Sequence, residues 1–184
     1  MKEVLKLNMN NRMTWILTLI LIAIEQGIKI IINSKFLDKS VPIIPSFMYF
    51  DPMFNKDYSW FNSMLQLGVG KSIHIALVVV VISLIYLIYR FLNKSLKIEA
   101  NLIHVMFSFI FAGATCSLID KVFWDGSLDY ILLHGLFTFD LKDVYINIFI
   151  GLFIIGVYSK NEDFKKIEDQ NILKNFSKYM LGKL

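Results

Sequence analysis

Acidic residues crowd one short stretch of the chain, between its last two apolar segments. Asp120, Asp125, Asp129, Asp140 and Asp143 fall within 24 residues, and Asp129 has apolar neighbours on both sides. Burial raises the pKa of a carboxyl group, and a second carboxyl nearby raises one of the two pKa values further. Such a pair can divide into one acid and one base. Hydrolysis of a peptide bond by two aspartates needs this division, because one activates water while the other polarises the carbonyl.

Other reactive residue types are sparse and have structural explanations. Glu25 and Lys29 lie four residues apart, so a helix places them on one face, where we interpret them as an ion pair that packs the bundle. The single cysteine, Cys116, follows the small residues Ala112, Gly113 and Ala114, which favour close helix contact. One cysteine excludes an internal disulfide and any metal site built on several cysteines. We expect no metal and no cofactor.

Four apolar segments must position these residues. Of the 184 residues, 56% are hydrophobic and 18% are charged, whereas a soluble domain has about 45–50% apolar and about 25% charged residues. A bilayer core of about 30 Å needs about 20 helical residues. The composition therefore predicts an all-α membrane fold with four transmembrane helices, at about residues 13–32, 73–92, 102–119 and 144–158.

The positions of lysine and arginine predict the orientation. Twelve of them lie in the N-terminal segment, the loop after the second helix and the tail, and six lie in the other loops. The positive-inside rule then places both termini in the cytoplasm. It also accounts for the pI of about 9.0 without nucleic acid as a partner. We expect one polytopic domain over residues 1–184, with a cytoplasmic tail at 159–184.

The outer segment at residues 33–72 contains three prolines and many aromatic residues. Aromatic rings at this level are typical of the membrane–water interface. A more specific hypothesis is a small platform that holds a lipid-linked ligand against the membrane. Short runs such as residues 47–50 could form strands within it.

Three motifs around the aspartates resemble those of the lipoprotein signal peptidase (signal peptidase II) family. Residues 112–121, AGATCSLIDK, resemble G-G-A-x-G-N-x-x-D-R, and residues 127–131, SLDYI, are similar to V-V-D-F-I. Residues 139–143, FDLKD, resemble F-N-x-A-D. Residues 25–29, EQGIK, resemble D-Q-x-x-K, and Asn55 resembles the asparagine of N-x-G-A-x-F.

The resemblance implies an aspartic endopeptidase of the bacterial cytoplasmic membrane. It would remove signal peptides from diacylglyceryl-modified prolipoproteins at the outer membrane face. Its partners would be the lipid-modified preprotein and membrane lipids, and globomycin-type inhibitors would occupy the same site. A small extracytoplasmic β-cradle between helices 1 and 2 is implied as well. We expect a monomer.

The resemblance also assigns roles to residues. Asp129 and Asp143 match the catalytic pair, and Asp120 matches a supporting acid. Lys29 and Asn55 match polar residues that line the site. The remaining matched positions depart from the motifs: Ser117 replaces an asparagine, Lys121 an arginine, Asp140 an asparagine and Lys142 an alanine. Asp140 adds a negative charge near the pair, and Lys142 could offset it.

Two other classes of protein stay open at this stage. A membrane paralogue that binds lipoproteins or an inhibitor without cutting would keep the aromatic platform but would not need two aspartates. A small ion-coupled transporter would use Glu25, Lys29 and the aspartates as a pathway, but such proteins commonly have internal repeats or interrupted helices. Neither feature is evident in this sequence.

Overall fold

The computed structural model describes residues 10–94, 101–124, 126–158, 162–167 and 171–183. Asp125, one of the five clustered acids, lies outside the described residues. So do several of the basic residues that predict the orientation, among them Lys2, Lys6, Lys97 and Lys160.

Four long helices are apolar enough to cross a membrane: α1 (Asn11–Lys35), α3 (Lys71–Lys94), α4 (Asn101–Ile119) with the turn that extends it to Trp124, and α5 (Leu141–Tyr158). The Asn10 side chain caps α1 by accepting a hydrogen bond from the Met13 N–H at 3.0 Å. Large apolar side chains on α1, α3 and α5 are exposed and would face lipid. The predicted all-α membrane fold with four spans is confirmed.

Helix α4 lies at the centre and contacts α1, α3 and α5. Small residues make this packing close. A methyl group on Gly113 would lie 2.8 Å from the Ile146 side chain and 3.1 Å from the Lys142 carbonyl oxygen, both on α5. Glycine at this point therefore lets the first turn of α5 approach α4, which fixes the position of the residues that begin α5.

A small antiparallel sheet stands at one end of the bundle. Strands β1 (Val41–Ile44) and β2 (Met48–Asn55) come from the segment between α1 and α3, which also contains the short helix α2 (Trp60–Leu65). Strands β3 (Ser127–Leu133) and β4 (Thr138–Phe139) come from the segment between α4 and α5. The strand order is β1-β2-β3-β4. The predicted cradle thus receives half of its strands from the aspartate-rich loop.

Strand β2 contains a bulge that sets the register of β3. Phe50 pairs with Ile131 and Met53 pairs with Asp129, so β2 has one extra residue between the two pairs. Pro52 lies in this irregular stretch, where its missing N–H does not interrupt a ladder. Gly126, directly before β3, has a φ of +150° and passes so close to Asn55 that a methyl group would lie 2.7 Å from its carbonyl oxygen. Glycine is therefore needed there.

The tail forms two short helices, α6 (Glu162–Ile167) and α7 (Ile172–Met180). Phe164 is buried against Gly156 of α5, and Phe176 packs on Phe91 of α3 with ring centroids 5.4 Å apart. These contacts lie at the end of the bundle opposite the sheet. The two tail helices thus cover that end of the bundle.

Candidate active site

Helix α1 brings a fully buried lysine to the sheet end of the bundle. Lys29 Nζ lies 2.6 Å from Asp120 Oδ2, 2.7 Å from Asp140 Oδ2 and 3.0 Å from Glu25 Oε1. The expected pair of Glu25 and Lys29 exists, but Lys29 has three carboxylate partners rather than one. Three elements are therefore joined at one ammonium group.

Asp120 opens a turn of π-helix, Asp120–Trp124, that follows α4. A π turn is wider than an α turn and often occurs at functional sites. Asp120 is fully buried, and besides Lys29 it accepts a hydrogen bond from Ser127 Oγ at 3.1 Å. Gln26 holds the end of the turn by accepting a hydrogen bond from Trp124 Nε1 at 3.0 Å. The wide turn thus directs Asp120 towards α1 and β3.

Strand β3 carries Asp129 into the interior. The first four residues of the strand are all buried, so both faces of β3 are covered here. Asp129 Oδ1 accepts a hydrogen bond from Ser127 Oγ at 2.6 Å, two residues earlier on the same face of the strand. Ser127 was not expected to belong to the site, because a serine in a loop motif carries no distinctive sequence signal.

Helix α5 begins with a reciprocal cap made by two aspartates. Asp140 Oδ1 accepts a hydrogen bond from the Asp143 N–H, and Asp143 Oδ2 accepts one from the Asp140 N–H, both at 3.3 Å. This arrangement is a capping box, in which the cap residue and the third helical residue satisfy each other's backbone. The orientation of the Asp143 carboxyl group is therefore tied to the start of α5.

Lys142 turns inward from the same helical turn. Its Nζ donates to Asp140 Oδ2 in a very short contact, to Ser127 Oγ at 2.6 Å and to Asp129 Oδ1 at 3.4 Å. It also lies 3.3 Å from Asp120 Oδ2. Lys142 is buried, although the sequence placed it among the charges of an outer loop. Together with Ser127, it links the Asp120 and Asp140 side of the cluster to Asp129.

The two aspartates of the expected catalytic pair lie next to each other. Carboxylate oxygens of Asp129, Asp140 and Asp143 all fall within 4.8 Å of one another. A single water molecule can bridge carboxylates at such a separation, because each of its hydrogen bonds spans about 2.7–2.8 Å. The arrangement can therefore hold a water between one ionised and one protonated carboxyl group.

A carboxylate cluster of this kind could also suit a hard cation. Here, however, the ammonium group of Lys142 is already bound to Asp140 and reaches Asp129. Among the described residues, lysine side chains offset most of the negative charge of the cluster. We therefore interpret the lysines, and not a metal ion, as the counterions.

Burial and the lysines act in opposite directions on the acids of the connecting segment. Burial raises the pKa of Asp129, and the charge of Lys142 only partly opposes this effect. Burial would also raise the pKa of Asp140, but Lys142 and Lys29 outweigh it and bring that pKa down to about 2. Asp140 is thus held ionised, whereas Asp129 can change its protonation state.

The other residues suggested by the motifs lie at the edge of the cluster or outside it. Lys121 is buried and donates to Ser117 Oγ at 2.9 Å, one helical turn earlier. Asn55 ends β2 beside Ser127, but its side-chain oxygen accepts a hydrogen bond from the Asp57 N–H at 3.1 Å. In this structure Asn55 therefore stabilises a local turn, and a role in the site stays a prediction.

Comparisons with known proteins show the family of this chain. Residues 17–159 match the family described as Signal peptidase (SPase) II. A protein named lipoprotein signal peptidase, from Fusobacterium nucleatum subsp. nucleatum, is 30% identical over 142 residues, which are 76% of this chain and 82% of that relative.

Solved structures show the same fold. One, described as a bacterial membrane enzyme determined by the in meso method at 2.3 Å, has a TM-score of 0.66 and 21% identity, covering 83% of this chain and 93% of its own. Another, described in the same words at 1.9 Å, has a TM-score of 0.67 and 20% identity, covering 82% and 96%. The family model spans most of the chain and the site lies within it, so the protein is a multi-pass membrane enzyme that belongs to the signal peptidase II family of aspartic peptidases.

Proposed function

We propose that this enzyme cleaves signal peptides from diacylglyceryl-modified prolipoproteins at the outer face of a bacterial cytoplasmic membrane, with Asp129 and Asp143 as the catalytic pair. The observation that carries the proposal is the approach of the Asp129 and Asp143 carboxylates to within 4.8 Å, at the sheet end of four apolar helices. The relative that shares 30% of its residues is named for the same activity.

The pair supports hydrolysis by general acid–base catalysis. The ionised aspartate takes a proton from the bridging water as the water oxygen bonds to the scissile carbonyl carbon, and the protonated aspartate donates its proton to the carbonyl oxygen. When the tetrahedral intermediate collapses, the C–N bond breaks. The amine leaves with the proton that the first aspartate received. As the carbonyl re-forms, a hydroxyl group of the intermediate returns a proton to the second aspartate. Both aspartates are then in their starting protonation states.

The surroundings of the pair suit a substrate anchored in the membrane. The pair lies where helix ends meet the sheet, and β1 and its turn expose the apolar side chains of Val41, Ile43 and Phe47. Such side chains can contact lipid or an acyl chain at the interface. A signal-peptide helix beside α5 and a lipid anchor beside the sheet would hold the scissile bond near the pair, so positioning would supply much of the rate.

The supporting residues have different roles in the proposal. Lys29, Asp120 and Asp140 hold α1, the π turn after α4 and the start of α5 together through their ion pairs. Ser117 and Lys121 lie at the end of α4, beside the same cluster, and would contact the substrate backbone or its lipid head group.

The test is cleavage of a purified diacylglyceryl-prolipoprotein in detergent by the unaltered protein, by Asp129→Asn and by Asp143→Asn. Each variant should lose at least about 10²–10⁴-fold in rate, the usual contribution of an acid or base. Asparagine removes one negative charge from an acid-rich cluster, so both variants should stay folded. Asp38→Asn, at an exposed acid of the outer segment, is the matched control and should cut normally.

A preprotein without the diacylglyceryl group tests the substrate class. We expect it to be cut poorly, since it lacks the anchor. If the folded, unaltered protein cuts none of several lipid-modified preproteins, the proposed activity is wrong. If one aspartate variant cuts at the normal rate, the assignment of the pair is wrong.

A further inference from the structure

Lys142 and Asp140 form a buried ion pair directly beside the two catalytic candidates. Lys142 Nζ contacts Asp140 Oδ2, donates to Ser127 Oγ at 2.6 Å and lies 3.4 Å from Asp129 Oδ1. Asp140 in turn caps the helix that carries Asp143. The cation of the ion pair contacts Asp129 directly, and its anion lies within 4.8 Å of both Asp129 and Asp143. The proposed mechanism needs the two aspartates to differ in protonation, and this asymmetric arrangement can make them differ.

We propose that the Lys142–Asp140 ion pair is a positioning device that fixes which aspartate is ionised, holding Asp129 as the base so that Asp143 carries the proton. The inference rests on the proposed function, because it assigns the two roles within that site. Lys142 acts through Asp129 and Ser127, and it need not touch the substrate.

The contacts of Asp129 favour its ionised form. A carboxylate accepts hydrogen bonds, and Asp129 Oδ1 faces both the Ser127 hydroxyl group and the Lys142 ammonium group. The negative charge of Asp140 has the opposite effect on Asp143. Asp143 Oδ2 accepts a backbone N–H, but its neighbour Asp140 is an anion, and a nearby anion disfavours a second negative charge. The proton of the pair is therefore more stable on Asp143.

Other charged or titratable groups lie around the two aspartates, and they come from each element packed against the site. Helix α1 contributes Glu25 and Lys29, the end of α4 and its π turn contribute Asp120 and Lys121, and β3 contributes the Tyr130 hydroxyl group. Lys29 is saturated by three carboxylates, and Lys121 is bonded to Ser117. Among the described residues, Lys142 is thus the cation with a direct contact to Asp129.

The acid limb of the pH–rate profile measures the ionisation of the base. Asp129 must lose its proton to act, so activity rises with pH through the pKa of the pair. Removal of a cation within 4 Å raises such a pKa by about 1–3 units, and removal of an anion lowers it. Lys142→Met should therefore move the acid limb to higher pH by about 1–3 units. Asp140→Asn should move it to lower pH.

The double variant Asp140→Asn with Lys142→Ala removes both charges and provides the decisive comparison. It also restores the asparagine and alanine of the motif that this segment resembles. We expect its acid limb within about half a unit of that of the unaltered enzyme, since the two electrostatic effects oppose each other. Lys142→Arg retains the charge and should keep most of the profile. Lys56→Met, at an exposed lysine of the outer segment, controls for the loss of a positive charge elsewhere.

If Lys142→Met does not fold, the double variant, Asp140→Asn and Lys142→Arg still test the idea. An acid limb that is the same in Lys142→Met as in the unaltered enzyme would overturn the inference. So would a double variant displaced as far as Lys142→Met.

Carboxyl infrared bands, followed across pH with and without Asp129→Asn, report the same ionisation without turnover. Absence of cleavage by the unaltered protein would refute the proposed function alone. An Asp129 band that titrates at the same pH with and without Lys142 would refute the inference alone.

Discussion

Replacement of Lys29 by methionine should destabilise the protein strongly, because it removes the central cation of the cluster. Lys29 is fully buried and lies within 3.0 Å of Glu25, Asp120 and Asp140. Methionine has a similar length and fits an apolar site, so the change removes the charge with little change in volume. It leaves three buried carboxylates that share Lys142 as their nearest remaining counterion.

The size of the effect follows from the burial of these groups. Breaking a buried ion pair by removing one partner costs about 3–5 kcal/mol, because the other partner keeps its desolvation cost without compensation. We expect a loss of that order in the free energy of unfolding for Lys29→Met. The double variant Lys29→Met with Glu25→Gln also removes one of the stranded charges and should recover at least about 1 kcal/mol of the loss.

The assay is equilibrium unfolding in mixed detergent micelles, followed by tryptophan fluorescence. Lys35→Met is the matched control, since it makes the same substitution at an exposed position near the end of the same helix. It should change the free energy of unfolding by no more than about 0.5 kcal/mol. If Lys29→Met loses no more stability than Lys35→Met, the charges of the cluster do not stabilise the contact between α1, the π turn after α4 and the start of α5, and the reasoning is refuted.

Three further predictions concern packing, pH and orientation. Gly113→Ala should cost about 1–3 kcal/mol of stability, because its methyl group would overlap α5, whereas Gly151→Ala, which meets open space, should be neutral or slightly stabilising in the same unfolding assay. Burial raises the pKa of Asp129, so cleavage by the unaltered enzyme should fall off on the acid side at a higher pH than an ordinary aspartate would give, and a fall only below about pH 4 would contradict this. In a background without the native cysteine, Lys39→Cys should react with an impermeant thiol reagent added outside intact cells and Lys94→Cys should not; the reverse pattern would invert the topology.

The sequence was sufficient for the helices because their signal is local. Each span is a run of apolar residues long enough to cross a bilayer, and the helices begin and end within a few residues of the predicted limits. The four-stranded sheet was harder to predict, since β2 and β3 are separated by α3 and α4. Nothing in the sequence near Met53 indicates that it pairs with Asp129.

The motifs supplied the candidate residues of the proposed site. The motifs pointed to Asp129 and Asp143, and the structure places them together. They indicated that Lys142 could offset the charge of Asp140, but not that it is buried, because a lysine one residue after a helix start usually reaches solvent. Its inward direction depends on the carboxylates that surround it, which come from the π turn, from β3 and from the residue before α5. The role of Ser127 could not be predicted for the same reason, because it depends on hydrogen bonds to Asp120 and Asp129.

The composition of the cluster explains why one site can be both a structural contact and a reactive one. Five carboxyl groups face three lysines, which would leave a net charge of −2 if all of them were ionised: Glu25, Asp120, Asp129, Asp140 and Asp143 against Lys29, Lys121 and Lys142. Such a charge is costly at the edge of a membrane, so protonation of a carboxyl group lowers the free energy of the folded state. A peptidase that works with two aspartates needs one of them protonated. The excess of acids over lysines therefore supplies the proton that catalysis requires, and the arrangement of the lysines decides which acid keeps it.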